Sequence, residues 1–473
     1  MLEEILENLK QKQEYECYEI NNKIYTNHEL YRYVCNIYGY LLENNKQNKS
    51  VIVKGHKDIY MISAFLACAF AGITYVPIDI SIPQERQNKI IEQIQPQLII
   101  DEKIKEIMDK PRYNEIEKIY MNLEDTYYII FTSGTTGEPK GVKIAYRNLQ
   151  SCVNWLKDVC NISNSIILNQ ANYSFDLSIA DMYLSLTTKS KHYILEREKQ
   201  KNYIDLFQEI INSEAEMAVM TPSMADMLLL DRSFNKENIK KLRKILFCGE
   251  KLTKKTVEKL YDRFPEIDII NSYGPTECTF AVTSINLSKG NIEENISIGI
   301  PKKDTNIYIV DENLKEVKNG ELGEILIQGE SVGQGYVRSN MGFLRYDDKP
   351  AYLTGDIGYI KNGQIYFIGR KDNQIKYKGY RIEISEIENV LNKYNNAEKV
   401  VVVPTKNEYG KVNKIIAFIK LAKQDENAVN QLEEIAKKQL PEYMFPIIKI
   451  IEDIPLNQNG KVDKKQLMEE YFK

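Results

Sequence analysis

The stretch "TYYIIFTSGTTGEPKG", residues 126–141, joins an aromatic and β-branched run to a loop of glycines, hydroxyl side chains and one lysine. The run predicts a buried strand, because β-branched and aromatic residues favour pleated sheets. In the loop, glycines allow backbone amides to turn toward a bound anion, hydroxyls add donors, and Lys140 adds positive charge. The loop is not a Walker A motif, which requires GxxxxGK[ST]. We therefore expect a strand followed by a polyphosphate-binding loop.

The sequence on either side of this stretch predicts an α/β fold. The apolar runs "SVIVKG", "TYVPID" and "PQLIID" each precede a helical or mixed segment, and this alternation favours helix-covered, mainly parallel sheets. From about residue 296 the pattern changes to short strands with Asn-Gly turns, which is typical of hairpins. We predict a large N-terminal domain, 1–371, that includes a small barrel-like β subdomain, and a small α+β C-terminal domain, 372–473.

Composition narrows the functional class. The 473 residues are 43% hydrophobic and 27% charged, the balance of an ordinary soluble protein, and the net charge of −4 gives no reason to expect nucleic acid as a partner. Seven dispersed cysteines and three histidines support neither a disulfide framework nor a zinc site, and they fit a reducing cytoplasm. Gly72 and Pro77 divide the longest apolar segment, 59–78, so we interpret it as a buried helix and strand and expect no membrane insertion.

Six further motifs follow the loop in order. They are "YSFDLSIAD" (173–181), "NSYGPTE" (271–277), "GELGEILIQG" (320–329), "YLTGD" (352–356), "GRKDNQIKYKGYRIEISEIE" (369–388) and "NGKVDKKQL" (459–467). Together with the loop, this series resembles the adenylate-forming superfamily, which includes acyl-CoA synthetases, luciferases and the adenylation domains of peptide synthetases. Any one motif could arise by chance, but the ordered series is highly specific.

The resemblance implies a two-step reaction that uses ATP and Mg²⁺. A carboxylate is first joined to AMP with loss of pyrophosphate, and a thiol then displaces AMP to give a thioester. Lys461 is expected to supply catalytic positive charge, Glu277 to bind Mg²⁺ and Thr276 to contact the α-phosphate. Asp356 is expected to accept hydrogen bonds from the ribose hydroxyls. The implied ATP-binding residues are Thr132, Ser133, Gly134, Thr135, Thr136, Gly137, Lys140, Gly249, Asn271, Ser272, Tyr273, Gly274, Pro275, Thr276, Asp356, Phe367, Ile368, Gly369, Arg370 and Lys461.

Asp176 indicates the class of acyl group. In relatives that activate amino acids, the aspartate of "FD" pairs with the substrate's ammonium group, and a buried carboxylate without that cation is costly. The alternative role for Asp176 is a helix N-cap. The resemblance assigns the amino-acid pocket to Asp176, Leu177, Ala180, Val219, Leu246, Cys248, Ser272, Phe280, Ala281 and Lys461. "YVPIDISIPQER", "FCGEKL" and "INSYGPTECTFAVTS" are similar to ligases that load D-alanine onto a carrier protein for teichoic acid, but Phe280 is bulkier and Ala180 smaller than is usual there.

One site must admit ATP and then a carrier-borne thiol, so the resemblance implies a mobile C-terminal domain that rotates at Asp372. Lys461 would serve the first step, and the segment around Gly379 would line the pantetheine channel in the second. No Asp-Ser-Leu carrier segment follows Lys473, so we expect the partner to be a separate phosphopantetheinylated carrier protein. Glu138 stands where many relatives have lysine, and we expect it to face solvent.

Three alternatives to a D-alanine ligase remain open at this point. They are a stand-alone adenylation enzyme of the peptide-synthetase type for another amino acid, an acyl- or aryl-CoA ligase, and a catalytically inactive binding protein with this fold. Asp176 argues against the second, while Lys461, Glu277 and Asp356 argue against the third. The chirality of the substrate depends on pocket geometry and does not follow from the sequence.

Overall fold

The computed structural model describes residues 1–11, 14–45, 50–111, 113–134, 137–372, 374–455 and 462–471. The chain forms two compact units. The first unit contains Met1–Ile80, Gln93–Phe131 and Gly141–Lys371, and the second contains Ser81–Glu92, Thr132–Lys140 and Asp372–Lys473. Two short segments from before residue 371 therefore group with the residues that follow it. The predicted division into an adenylation core and a mobile domain concerns function and stays a prediction.

Short strands and helices alternate along most of the chain. Within the described residues, the strands are β1 (Glu16–Ile20), β2 (Lys23–Thr26), β3 (Val51–Gly55), β4 (Tyr75–Asp79), β5 (Leu98–Ile100), β6 (Thr126–Thr132), β7 (Lys140–Ala145), β8 (Ile166–Asn169), β9 (Lys191–Ile194), β10 (Met217–Met220), β11 (Lys244–Phe247), β12 (Asp268–Tyr273), β13 (Thr283–Leu287), β14 (Ile300–Pro301), β15 (Thr305–Val310), β16 (Gly323–Gly329), β17 (Phe343–Tyr346), β18 (Lys349–Lys361), β19 (Gln364–Arg370), β20 (Gln374–Tyr377), β21 (Tyr380–Glu383), β22 (Ala397–Lys406), β23 (Val412–Leu421) and β24 (Ile447–Ile451). The α-helices of the same ranges are α1 (Leu2–Gln11), α2 (Asn27–Asn44), α3 (Ile59–Phe70), α4 (Gln84–Ile94), α5 (Lys105–Met108), α6 (Tyr146–Cys160), α7 (Ser178–Thr187), α8 (Arg197–Lys201), α9 (Tyr203–Asn212), α10 (Pro222–Leu228), α11 (Lys254–Arg263), α12 (Ile384–Leu391), α13 (Ala428–Gln439) and α14 (Lys464–Tyr471).

The largest sheet of the first unit has nine strands in the order β14-β13-β12-β11-β10-β8-β9-β1-β2. The central pairs β12–β11, β11–β10, β10–β8, β8–β9 and β9–β1 are parallel. The outer pairs β12–β13, β13–β14 and β1–β2 are antiparallel. Because parallel strands end at one edge of a sheet, the loops after β8, β10, β11 and β12 open at the same edge.

A second sheet of the first unit has the order β5-β3-β4-β6-β7, with β3, β4, β5 and β6 in parallel pairs. The strand predicted from the opening stretch is β6. Every residue of α3 is buried, as expected for a helix that is apolar all round. A turn at Gly72, where φ is +71°, separates α3 from β4, which confirms the interpretation of segment 59–78. In the described ranges, none of the helices has the length and apolar content required to cross a membrane.

The small β subdomain of the first unit has the order β15-β16-β18-β17, and β19 also pairs with β18. The hairpin between β18 and β19 turns at Asn362 and Gly363, which have φ of +53° and +74°. Positive φ at both central residues is the requirement of a type I′ turn, and Asn-Gly meets it with little strain. This Asn-Gly turn is one of those that predicted hairpins after about residue 296, and that prediction is confirmed here.

The C-terminal part of the second unit is α+β. It contains the sheet β22-β23-β24 and the hairpin β20–β21. The helices α12 and α13 contribute Ile387 and Leu432 to a core that also contains Val402 and Ile415 from the sheet. The predicted class, mainly parallel α/β with a β subdomain and an α+β C-terminal part, is thus confirmed.

Candidate active site

The end of β12 supplies a continuous run of predicted site residues. They are Asn271, Ser272, Tyr273, Gly274, Pro275, Thr276 and Glu277. A Cβ atom on Gly274 would lie 2.5 Å from Cα of Ala281, so the chain folds back on itself here only with glycine. The neighbouring parallel strand β11 is followed by Cys248 and Gly249, the latter with φ of +95°. The two strand ends therefore meet at one edge of the sheet.

Asp176 lies beside the turn that follows β12. Its Oδ2 accepts a hydrogen bond from Oγ1 of Thr276 at 2.6 Å, and only 8% of Asp176 is exposed. The helix α7 begins at Ser178, two residues later, and the residue at its N-cap position is Leu177, whose side chain makes no capping hydrogen bond. The structure thus brings the residue predicted to bind an amine next to one predicted to contact a phosphate.

Seven of the ten residues predicted to line the amino-acid pocket share one buried cluster. Its members include Leu177, Ala180, Val219, Leu246, Cys248, Phe280 and Ala281. The neighbouring Ser272 donates a hydrogen bond from Oγ to the carbonyl of Phe247 at 2.8 Å. Thr279 and Phe280 have φ of +59° and +74°, values that are rare for β-branched and bulky side chains and that mark a strained turn. Phe280 is 1% exposed, so its ring is enclosed among the other members of this cluster.

Asp356 accepts hydrogen bonds from two other residues that were predicted to bind ATP. Tyr273 donates a hydrogen bond to its Oδ2 at 2.6 Å, and Nη1 of Arg370 donates to its Oδ1 at 2.5 Å. Burial, and next the charge of Asp356, raises the pKa of the Tyr273 hydroxyl, so that hydroxyl remains a proton donor at neutral pH. The other predicted nucleotide-binding residues of β19 are Phe367, Ile368 and Gly369.

Glu277 is the predicted metal ligand. It is 1% exposed, and its Oε1 accepts a hydrogen bond from the hydroxyl of Tyr336 at 2.5 Å. No cluster of three or more His, Cys, Asp or Glu side chains with metal-binding geometry occurs in the described part of the chain. Mg²⁺ usually takes one or two carboxylates and completes its shell with water and substrate phosphates. A buried glutamate next to Thr276 fits that manner of binding.

The predicted phosphate loop belongs to the second unit. Thr132 ends β6 and Lys140 begins β7, while Thr135 and Thr136 lie outside the described residues. The amide of Gly137 donates to the carbonyl of Gly134 at 3.0 Å, which closes the loop on itself. A Cβ atom on Gly134 would lie 2.0 Å from a backbone oxygen of the loop, so no side chain fits there.

Ser133 connects this loop to β21 within the second unit. Its Oγ donates to the carbonyl of Arg381 at 2.8 Å and accepts from the amide of Glu383 at 3.2 Å. Glu138 is exposed, and its Oε1 lies 2.9 Å from Nζ of Lys89. Glu138 therefore faces solvent, as the sequence predicted.

The predicted residues of the C-terminal part lie around the hairpin β20–β21. Asp372 accepts a hydrogen bond at Oδ1 from the amide of Gln374 at 3.1 Å. Lys378 and Gly379 form the two-residue turn, with φ of +52° and +83°. Lys461 lies outside the described residues, so its predicted role has no structural counterpart here.

Several residues near the site were not predicted from the sequence. Tyr336 contacts Glu277 from 59 positions away, and no pattern links the two residues. Asn169 and Asp181 lie at the two ends of the segment that carries Asp176, and they hydrogen-bond to each other. Their spacing around the "FD" motif is the signal that could have identified them.

Comparison with known families agrees with this geometry. Residues 5–337 match the family model described as AMP-binding enzyme, and residues 386–461 match the AMP-binding enzyme C-terminal domain. The chain belongs to the AMP-binding enzyme family.

Curated relatives give a narrower likeness. The chain is 38% identical to the D-alanine--D-alanyl carrier protein ligase of Listeria monocytogenes serovar 1/2a, with 97% of each chain covered. It is also 38% identical to the D-alanine--D-alanyl carrier protein ligase of Bacillus licheniformis, with 89% of each chain covered.

Solved structures share the fold at lower identity. The Vibrio cholerae adenylation domain AlmE, in complex with glycyl-adenosine-5'-phosphate, has a TM-score of 0.88 at 22% identity, with 99% of this chain and 97% of AlmE covered. Holo-PA1221, which contains adenylation and PCP domains, has a TM-score of 0.83 at 22% identity, with 99% of this chain and 84% of that chain covered.

Proposed function

We propose that the protein is an ATP-dependent ligase that activates D-alanine as D-alanyl-AMP and then transfers it to the phosphopantetheine thiol of a separate carrier protein in the cytoplasm. In the first step, a carboxylate oxygen of the amino acid attacks the α-phosphorus of ATP and pyrophosphate leaves. In the second step, the thiol sulfur attacks the acyl carbon, AMP leaves and a thioester remains. The names of the curated relatives support this substrate and this acceptor.

The buried carboxylate of Asp176 is the observation that carries the proposal. It lies 2.6 Å from Thr276, and the next residue along the chain, Leu177, belongs to the buried cluster that contains Cys248 and Phe280. If the protonated amine of the amino-acid substrate pairs with Asp176, the carboxylate of that substrate would lie near Thr276, where the α-phosphate is expected. Because an unpaired buried carboxylate is costly, this arrangement favours substrates with an amine over simple fatty or aryl acids.

The size of the pocket favours a small side chain. Phe280, Ala180 and Ala281 belong to the same buried cluster, and the small size of the two alanines offsets part of the volume of the Phe280 ring. Another small amino acid is the second candidate, because Phe280 is bulkier than is usual in D-alanine ligases. AlmE, which shares the fold, was solved with a glycyl adenylate, and this makes glycine the first alternative to test.

The nucleotide would be held by the two groups already described. Asp356 presents two carboxylate oxygens to the ribose diol, and Tyr273 and Arg370 fix its orientation. Mg²⁺, held by Glu277 and the phosphates, would neutralise negative charge on ATP. Thr276 would contact the α-phosphate while Asp176 orients the amino acid, so both reactants would be prearranged for in-line attack.

The two steps would require different catalytic groups. We assign the cation of the adenylation step to Lys461 and the channel for the pantetheine arm to the turn at Gly379, with rotation at Asp372 exchanging them. Glycine at position 379, where φ is +83°, allows close approach of the arm to the backbone. These assignments follow from the family resemblance.

An exchange assay tests the substrate. Labelled pyrophosphate exchanges into ATP only when the correct amino acid is present, so D-alanine, L-alanine, glycine, D-serine and a fatty acid are compared at equal concentration. D-alanine should give the highest kcat/KM. Exchange with glycine alone would replace D-alanine as the substrate, and exchange with none of them would refute adenylation of small amino acids. A phosphopantetheinylated carrier protein should then become acylated, and the same carrier without its prosthetic group should not.

A lysine substitution tests the division of labour between the steps. Lys461→Ala should lower pyrophosphate exchange by roughly 10²-fold or more, because the catalytic cation is lost. Thioester formation from supplied D-alanyl-AMP should continue. Lys464→Ala removes an exposed lysine of α14 and serves as the matched control. Equal loss of both steps in a folded Lys461 variant would contradict the assignment.

A further inference from the structure

A buried polar cluster lies beneath the segment that carries Asp176. It consists of Lys57, Asn169 and Asp181, which we call the loop anchor. None of the three is more than 1% exposed. Buried ionisable groups carry a desolvation penalty that well-packed apolar side chains avoid. The proposed chemistry uses none of these side chains, so their burial calls for another role.

Lys57 connects two of the sheets of the first unit, the one that contains β3 and the nine-stranded one. It follows the end of β3 in a left-handed conformation, with φ of +53°. Its Nζ donates hydrogen bonds to the carbonyl of Gln170, at 3.2 Å, and to the carbonyl of Leu195. These carbonyls directly follow β8 and β9 of the nine-stranded sheet. The ammonium group therefore fixes the backbone at the point where the Asp176 segment begins.

Asn169 and Asp181 fix the same segment from its other side. Nδ2 of Asn169 donates to the carbonyl of Ala171 at 3.1 Å and lies 3.1 Å and 3.0 Å from the two carboxylate oxygens of Asp181. Asp181 belongs to α7, which begins just after Asp176. One amide thus connects the last residue of β8, the start of the segment and the helix that follows it.

The charges of the loop anchor complement one another. Burial lowers the pKa of Lys57 to about 8, and the negative charge of Asp181 opposes that shift. Burial raises the pKa of Asp181, while His192, whose Nε2 lies 3.3 Å from Oδ1, acts in the other direction. Removal of either charge would leave the other poorly compensated in a low-dielectric environment. The charges of Lys57 and Asp181 therefore depend on each other for their stability in the buried cluster.

We propose that the loop anchor positions Asp176 for recognition of the substrate's ammonium group, an inference that rests on the proposed function. The segment is held at its base through the carbonyls of Gln170 and Ala171 and at its far end through the bond from Thr276 to Asp176. Loss of the base contacts lets the carboxylate move relative to the pocket. A displacement of about 1 Å at a reacting group can cost as much as 10²-fold in rate.

Lys57→Met and Asp181→Asn test this role, because both keep the side-chain volume and remove one charge. In pyrophosphate exchange, each should raise KM for the amino acid about tenfold or more while KM for ATP stays within about twofold of the native value. The buried Lys244 offers a matched control. Its Nζ donates to the carbonyl of Cys160 at 2.5 Å, at the opposite end of β11 from the site.

Lys244→Met removes a buried ammonium of the same kind without touching the segment. It should lower the melting temperature and leave both KM values unchanged. If Lys57→Met and Asp181→Asn behave like this control, with lower melting temperature and native KM values, the loop anchor has only a structural role and the inference fails.

A substitution at a half-buried, uncharged residue serves as the test if the Lys57 and Asp181 variants do not fold. Gln200 of α8 is half-buried, and its Nε2 donates to the same carbonyls of Gln170 and Leu195, at 3.3 Å and 2.9 Å. Gln200→Leu should raise KM for the amino acid about threefold, consistent with loss of weak neutral hydrogen bonds. An unchanged KM in that variant would overturn the inference.

The two proposals fail in different ways. If the native enzyme supports no exchange with any small amino acid, the proposed function is wrong, and the inference falls with it. If the native enzyme is active and the folded variants keep its KM for the amino acid, only the positioning role is refuted.

Discussion

Asp176→Asn is the sharpest test of the site, because it removes one charge and almost no volume. A carboxylate and an ammonium about 4 Å apart interact by about 4 kcal/mol at an effective dielectric of 20, and a hydrogen bond to a charged group contributes about 1.5–3 kcal/mol. Asp176 is 8% exposed, so little of this is lost to solvent. A net loss of about 2–4 kcal/mol corresponds to a decrease of roughly 30-fold to 10³-fold in kcat/KM for the amino acid.

The free energy of unfolding of the Asp176→Asn variant should rise or stay the same. The substitution relieves the desolvation of a buried carboxylate, while the amide oxygen can still accept the hydrogen bond from Thr276. The assay is pyrophosphate exchange at varied amino acid and fixed saturating ATP, together with a melting curve. Asp205→Asn, an exposed substitution on α9, is the control. A kcat/KM within about threefold of the native value would show that Asp176 does not bind the substrate's ammonium group.

Three further predictions address the nucleotide site and the cysteines. Gly134→Ala should lower kcat/KM for ATP about tenfold or more, because its Cβ would lie 2.0 Å from the carbonyl of Glu138 and the loop must move; unchanged ATP kinetics would contradict this. Tyr273→Phe removes the hydrogen bond to Asp356 and should lower the free energy of unfolding by about 1.5–3 kcal/mol in a denaturant titration, so an unaltered midpoint would speak against that bond. Burial raises the pKa of Cys17 to about 12, and the other six cysteines are buried. A thiol reagent at mildly alkaline pH should therefore modify the native protein slowly and should modify all seven cysteines of the denatured protein. Rapid labelling of the native protein would contradict this prediction.

Local patterns in the sequence predicted most of the fold because they encode local geometry. The apolar run before the loop became β6, and Asn362 with Gly363 formed the expected turn between β18 and β19. The run 59–78 divided at Gly72 into α3 and β4. These features depend on side-chain periodicity and on backbone preferences within a few residues, so a single sequence is sufficient to read them.

The motifs also identified many of the residues that the structure brings together. Asp176 and Thr276 are 100 positions apart, and the motifs predicted a role for each residue but no hydrogen bond between them. Their contact depends on how β8 and β12 are ordered within one sheet. The motifs supplied residue types, whereas the parallel arrangement of the strands supplied the distance between them.

The sequence by itself determined the alternation of strands and helices, the turn residues and the family, because each of these depends on short sequence motifs and on their order along the chain. Only the tertiary structure decided that Asp176 is hydrogen-bonded to Thr276, that Phe280 is buried in one cluster with Ala180 and that Lys57 is hydrogen-bonded to the segment from another sheet. These features arise from contacts between residues far apart in the chain, and such contacts exist only once the strands have been ordered and packed.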